Sequence, residues 1–280
     1  MRIGIAGDWH GNITWAQRAL PAFKRAGAEE VFHLGDLGLG FGRVSDANAY
    51  ANSLNHWLDK TGLEMNVVLG NHEGYDWVER QAADEPDQFN DEGIRRRGRL
   101  NILPRGYIFE RPSALRESGV VYGLAVGGAS SIDFRYRKLG LDWWLQENIT
   151  PDQADRIIER LAELRRIGIS PDLMMSHDAP FGISELDALS KSGGWSAEEL
   201  TYANQSRAQL DRIFREVAPA QLWHGHWHAY VNRLVEFDHA EGVGRFLTAV
   251  RGTTMEWTNR NAWILDTDTL SVELVSVWER

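Results

Sequence analysis

Short β-branched and aliphatic runs alternate along the chain with longer segments of helical spacing, the pattern of an α/β protein. The runs predict strands at 2–6, 31–34, 65–69, 120–126, 172–175 and 221–224, with further strands at 246–250, 262–266 and 271–277. Between them the apolar spacing predicts helices at 15–26, 46–60, 75–82, 151–167 and 197–217. Pro21 should kink the first helix or mark its true start, because it has no N–H to donate and its ring crowds the preceding turn. Thr150-Pro151-Asp152-Gln153 opens the fourth with a capping hydroxyl, a proline at the first helical position and an acid in the first turn. From about Gly244 onward strands follow one another without helices, which predicts an antiparallel region appended to the core. Residues 84–118 are the least periodic, and there the run Arg95-Arg96-Arg97 is expected in a polar loop as a solvated surface. No repeat, low-complexity tract or Pro/Gly-rich linker divides the sequence, so one domain over residues 1–280 is expected.

Composition narrows the function classes. The 280 residues are 43% hydrophobic and 25% charged, as in an ordinary globular protein with a packed core. Lys plus Arg number 30 against 40 Asp plus Glu, a net charge of −10, which disfavours a long nucleic acid as partner. Cysteine is absent, which excludes disulfides, thiolate nucleophiles and cysteine-bearing metal sites. Any metal must therefore be held by nitrogen and oxygen. The longest stretch free of Asp, Glu, Lys and Arg, 217–232, carries His224, His226 and His228 and is no membrane helix. The sequence runs straight from Met1 into Arg2-Ile3-Gly4-Ile5, without a charged segment followed by a long apolar one, so no secretory signal and a cytoplasmic location are expected.

The chemistry-bearing residues gather at the ends of predicted strands, where open α/β sheets place their ligands. The first strand runs into Gly7-Asp8-Trp9-His10; in an extended backbone Asp8 and His10 would face one side and could share an ion. The second ends in Gly35-Asp36 and the third in Gly70-Asn71-His72-Glu73, each a small residue followed by an oxygen donor. Later strands end in Ser176-His177-Asp178 and in His224-Gly225-His226-Trp227-His228. Of the 9 histidines, His10, His72, His177, His224, His226 and His228 all fall at such ends.

With these motifs the chain closely resembles the calcineurin-like metallophosphoesterases, marked in order by DxH, GDxxD, GNHE or GNHD, a lone His after a strand, and GHxH. The resemblance implies an α/β fold, a four-layer αββα sandwich with mixed sheets and C-terminal antiparallel strands. It implies a metal-dependent phosphoric ester hydrolase whose metal-bridging hydroxide attacks phosphorus in a small-molecule or nucleotide phosphate ester, monoester and diester both remaining open. Carried over by position, Asp8, His10, Asp36 and His228 would hold one divalent ion; Asp36 would bridge to a second, completed by Asn71, His177 and His226. Such donors suit manganese, iron, zinc or nickel, and two ions about 3.5–4 Å apart can clamp the attacking and leaving oxygens. One departure stands out: the second motif reads Gly35-Asp36-Leu37-Gly38-Leu39, so the second Asp of GDxxD is missing and altered hydrogen-bond support is expected.

His72 is not needed as a ligand and is the candidate to donate a proton to the leaving alkoxide, or else to hydrogen-bond the phosphate. Glu73 and Asp178 are expected to orient neighbours or cap loops, and His224 to lie in the core or support the ligands. The glycine-rich exit 127–137 should form a wall of the pocket with Arg135 or Arg137 near the phosphate, and Trp143 and Trp144 are expected at its mouth. Trp9 and Trp227, at the variable positions of DxH and GHxH, should pack behind the metals. Two other readings stay open: a catalytically inactive scaffold of this fold that binds a protein, and a protein Ser/Thr phosphatase. The latter is disfavoured because Leu39-Gly40-Phe41 stands where that group carries the arginine of Asp-Arg-Gly.

Overall fold

The computed structural model describes residues 1–87, 90–240 and 242–278. The first half of the chain builds β1 (Arg2–Ala6), α1 (Ile13–Arg25), β2 (Glu30–His33), α2 (Val44–Thr61), β3 (Met65–Val67) and α3 (Tyr75–Glu79). Then come β4 (Ala83–Asp87), β5 (Asn90–Arg97), β6 (Leu100–Ile102), β7 (Tyr107–Pro112) and β8 (Val120–Val126). The second half adds α4 (Pro151–Arg166), β9 (Leu173–Ser176), α5 (Ser184–Ser192), α6 (Ala197–Val217) and β10 (Gln221–His224). The chain closes with β11 (Val231–Asp238), β12 (Arg245–Gly252), β13 (Trp263–Asp266) and β14 (Val272–Leu274).

The strands form two mixed sheets, in the orders β14-β13-β1-β2-β3-β6-β5-β4 and β11-β12-β10-β9-β8-β7. Alternation along the strands decides what each face meets. Ile3, Ile5, Phe32 and Leu34 of the first sheet pack on Phe109, Val121, Met175 and Trp223 of the second. The opposite face of the first sheet, with Val31, Met65 and Val67, is covered by α1 and α2 through Trp15, Leu20, Phe23, Leu54 and Leu58. The outer face of the second, with Leu124, Met174 and Leu222, is covered by α4, α5 and α6 through Leu161, Leu186, Leu210 and Phe214. The expected four-layer αββα sandwich is therefore observed. Among the described residues no helix is long and apolar enough to cross a membrane.

Several local expectations are corrected. Helix α1 starts earlier than predicted, because Asn12 caps it by accepting from the Trp15 N–H at 3.0 Å, and it runs on with Pro21 in its interior. The supposed loop after residue 84 is instead a run of strands; Arg95, Arg96 and Arg97 lie on β5 and are half-buried. The apolar stem of an arginine can cover core while its head finds partners: Arg97 stacks over the Trp77 ring at 5.4 Å and donates to Asn52 Oδ1 at 3.0 Å. The C-terminal strands are not one appended region. β12 enters the second sheet parallel to β10, whereas β13 joins the first sheet antiparallel to β1, with β14 outside it. Helix α4 opens as expected, with a reciprocal cap between Thr150 and Gln153 and Pro151 in the first turn.

Candidate metal centre

Parallel strands β1, β2 and β3 of one sheet and β9 and β10 of the other deliver the five motifs to one edge of the sandwich. The exits are not extended, which corrects the alternation argument for Asp8 and His10. Asp8, His10, Asp36, His226 and His228 all have left-handed backbones, with φ of 58°, 44°, 53°, 62° and 50°. Non-glycine residues adopt that region at a cost, and it is tolerated where the surroundings over-determine it, commonly at functional sites. Here hydrogen bonds across the sheet ends hold it: Asp8 N donates to Gly35 O, His10 N to Asp36 O and His226 N to Asp8 Oδ1.

Seven side chains converge. Asp8, His10 and His228 form one group whose donor atoms lie within 4.8 Å of one another, and Asp36, His177 and His226 form a second. Asp36 joins them: Oδ2 is 3.8 Å from His10 Nε2 and Oδ1 is 3.2 Å from His177 Nε2. Asn71 lies beside the second group. Its Nδ2 donates to Ser131 Oγ at 3.1 Å, which leaves Oδ1 facing inward, 3.0 Å from His177 Nε2. Close approach requires glycine at two points: a Cβ on Gly35, whose φ is 90°, would collide with the His177 ring, and one on Gly70 with the Asp36 carboxylate.

The donor set fits divalent ions. It holds carboxylate, amide and imidazole and no sulfur. The fully buried Asp8 leaves Oδ2 without a hydrogen-bond partner, an arrangement that is costly unless something cationic is bound there. Burial pushes the Asp8 carboxyl up to about 7; burial acts the same way on Asp36, but His177 beside it holds that carboxyl well below the usual range.

Where the second Asp of GDxxD is missing, the exit after Asp36 is held by Glu73 of the third motif. Leu39, at that position, is buried in the core under the first sheet. Glu73, itself fully buried, accepts N–H bonds from Gly70, from Asp36 at 3.3 Å and from Gly38 at 2.9 Å, and so ties the β2 exit to the β3 exit. Asp178 accepts from the Trp227 indole at 2.8 Å and from the Ala179 N–H at 2.7 Å. His224 stays outside both groups, buried at the end of β10 with Nδ1 on Gly225 O. Trp9 is fully buried behind the site, its indole on Asn261 Oδ1.

His72 lies beside the centre, with Nε2 4.0 Å from Asp36 Oδ2. Burial first, and then the Arg137 guanidinium, push its imidazole down to about 4 despite the pull of Asp36. Of the two arginines expected near the phosphate, only Arg137 is at the site. Its guanidinium donates to His72 Nε2 at 2.9 Å, pairs with Asp133 at 2.7 Å and is almost buried. Arg135 points to α6 and pairs with Glu198 at 3.0 Å. Trp144 is buried rather than at an open mouth; it packs on Phe41, which stacks against His72 at 5.1 Å. Trp143 packs on Phe134 and Tyr202.

Residues 1–230 match the calcineurin-like phosphoesterase family, and the chain belongs to it. Solved structures with the same fold include a dimetal phosphatase from Danio rerio, 14% identical, with a TM-score of 0.58 over 100% of this chain and 97% of that one. A Thermus thermophilus protein is 11% identical with a TM-score of 0.52, covering 99% and 98% of the two chains. GAP50, the anchor in the inner membrane complex of Plasmodium, is 12% identical with a TM-score of 0.50, covering 100% and 90%. Comparison with curated protein sequences yields no match.

Proposed function

We propose that this protein is a hydrolase of small-molecule or nucleotide phosphate esters, with one divalent ion on Asp8, His10, Asp36 and His228 and a second on Asp36, Asn71, His177 and His226. The observation that carries this reading is the span of Asp36, whose two oxygens face His10 and His177, one from each group. Manganese, iron, zinc and nickel all suit these donors. Bound there, such a pair supplies Lewis acidity toward a phosphoryl oxygen and activates water.

The chain's own residues do the rest. Arg137 is the cation placed to donate to a phosphoryl oxygen, and His72 Nε2 is the group that hands a proton to the leaving oxygen. A guanidinium only donates, so its bond to Nε2 holds His72 neutral with the proton on Nδ1. A phosphate seated between the two side chains takes over the guanidinium hydrogen bond and adds negative charge, which favours the protonated imidazole. A water oxygen, having released one proton to solvent, then bonds to phosphorus, the ester P–O bond breaks, and the Nε2 proton passes to the departing oxygen. We place this activity in one cytoplasmic domain; the net charge of −10 favours a small phosphorylated substrate over a long polyanion.

The test is hydrolysis of a chromogenic monoester and a chromogenic diester by protein titrated with each metal, beside Asp36→Ala and His72→Ala. We expect metal-dependent turnover that Asp36→Ala abolishes together with metal binding. His72→Ala should keep its metals and lose about 10²–10⁴-fold on an ester with a poor leaving group, but little on one with a good leaving group. If Asp36→Ala hydrolyses as fast as the parent, the two-metal reading is wrong. Two bound ions with no turnover of either ester would favour the scaffold.

A further inference from the structure

The segment between β12 and β13 leads from the second sheet back to the first, beyond the 1–230 match to the family, and it crosses the metal centre on its way. It is pinned at both ends of the site. Thr253 N donates to His224 O at 2.9 Å, Glu256 N to Asp8 O at 3.2 Å, and the Asn261 amide to Gly7 O at 2.6 Å. Trp257 has a left-handed backbone, φ 65°, a conformation that a bulky residue keeps only when its surroundings insist. They do so here: its ring packs on Trp15 at 5.4 Å and Trp278 at 6.0 Å, and the Arg18 guanidinium lies over both Trp257 and Trp278. The Glu256 carboxylate lies 3.0 Å from His10 Nδ1, while His10 Nε2 faces Asp36.

We infer that Glu256 is a positioning residue of the metal centre, fixing the His10 imidazole as the Nδ1–H tautomer so that the Nε2 lone pair is presented to the ion shared with Asp8, Asp36 and His228. The inference rests on the two-metal reading above for the identity of what His10 holds, but not for the Glu256–His10 bond itself. A carboxylate behind a ligating histidine sets ring orientation and tautomer and raises basicity, and its loss costs about 10–100-fold in metal affinity. A free imidazole has no such constraint, and both of its tautomers are accessible. The partner comes from a residue some 246 positions away in sequence, so the C-terminal segment contributes to the same site as the first motif.

The experiment compares the full chain with Glu256→Ala and Glu256→Gln by two readouts. The first is the His10 tautomer from long-range ¹H–¹⁵N imidazole spectra, recorded without added metal at alkaline pH where the ring is neutral. The second is manganese(II) binding by calorimetry. The wild-type ring should be Nδ1–H. In Glu256→Ala it should turn over to a mixture rich in Nε2–H, and one of two manganese sites should weaken about 10–100-fold while the other is kept. Glu256→Gln, which keeps an acceptor of the same shape, should weaken that site less and guards against simple misfolding. An unchanged tautomer in Glu256→Ala, or two sites as tight as in the parent, overturns the inference. A wild-type chain that shows the Nδ1–H tautomer and its loss in Glu256→Ala, yet binds none of manganese, iron, zinc and nickel, overturns the two-metal reading and with it the metal role assigned to Glu256.

Discussion

The Arg137 guanidinium donates to His72 Nε2 across 2.9 Å, joining a residue of the 127–137 exit to the one that follows Asn71. The arginine is held from behind by Asp133 at 2.7 Å and is only 9% exposed, so its charge is aimed and not free to wander. We expect Arg137→Ala to lower kcat/KM for a phosphate monoester about 100-fold, the cost of removing one well-placed donor to a developing charge, with metal content unchanged. Turnover and affinity equal to the parent would remove Arg137 from the substrate site. Arg135→Ala, by contrast, breaks only an exposed pair with Glu198 and should leave kcat/KM within twofold or so of the parent.

Glu147 is fully buried and accepts from the Ser131 N–H at 2.7 Å, and Ser131 Oγ in turn accepts from Asn71. Burial pushes its carboxyl from the ordinary 4.5 up to about 8, against the smaller pull of the Ser131 bonds and Arg137. In the unfolded chain the group loses its proton near 4.5, and in the folded chain near 8. Between those values the unfolded state binds fewer protons, so folding stability drops as pH rises through that window and levels off above it. Glu147→Gln, a neutral replacement of the same shape, should abolish that fall. Denaturation midpoints from pH 4 to pH 9 should therefore converge at the acid end and separate in favour of the variant toward pH 8; parallel curves would sink the idea.

Asn261 makes four hydrogen bonds in the core behind the site. Its Oδ1 accepts from the indoles of Trp9 at 2.8 Å and Trp15 at 3.1 Å, and its Nδ2 donates to Gly7 O and Thr254 O. Replacement by alanine leaves two buried indole N–H groups without an acceptor, each costing about 1–3 kcal/mol. Asn261→Ala should thus lose about 2–5 kcal/mol of stability, read from the urea midpoint with an unchanged slope. A loss below 1 kcal/mol would show that the two tryptophans find other acceptors.

The motif residues from Asp8 to His228 were legible because each rests on a local signal: a short apolar run, a small residue and a donor immediately after it. The intervening strands were less so. The arginines of β5 hide their burial, since a guanidinium lying over Trp77 carries no apolar letter in the sequence. β11 has mostly exposed positions, and α5 is short, so neither has a periodicity that stands out from its surroundings. Asp8 and His10 were correctly paired for an incomplete reason. Strand alternation does not apply to two left-handed residues, and what brings them together is the turn held against Gly35 and Asp36.

By itself the sequence determined the alternation of strands and helices, the family motifs and the absence of any thiolate ligand, because these depend on neighbours a few positions apart and on composition. Only the tertiary structure decided that Arg137 and not Arg135 faces His72, that Glu73 ties the exits where the second Asp is missing, that Ser131 orients Asn71, and that Glu256 reaches His10. Those partners lie tens to hundreds of residues apart, and no local spacing encodes them. They meet because two sheets stack with their parallel strands ending at one edge, and the packing of side chains between the layers fixes which loop can reach which ligand.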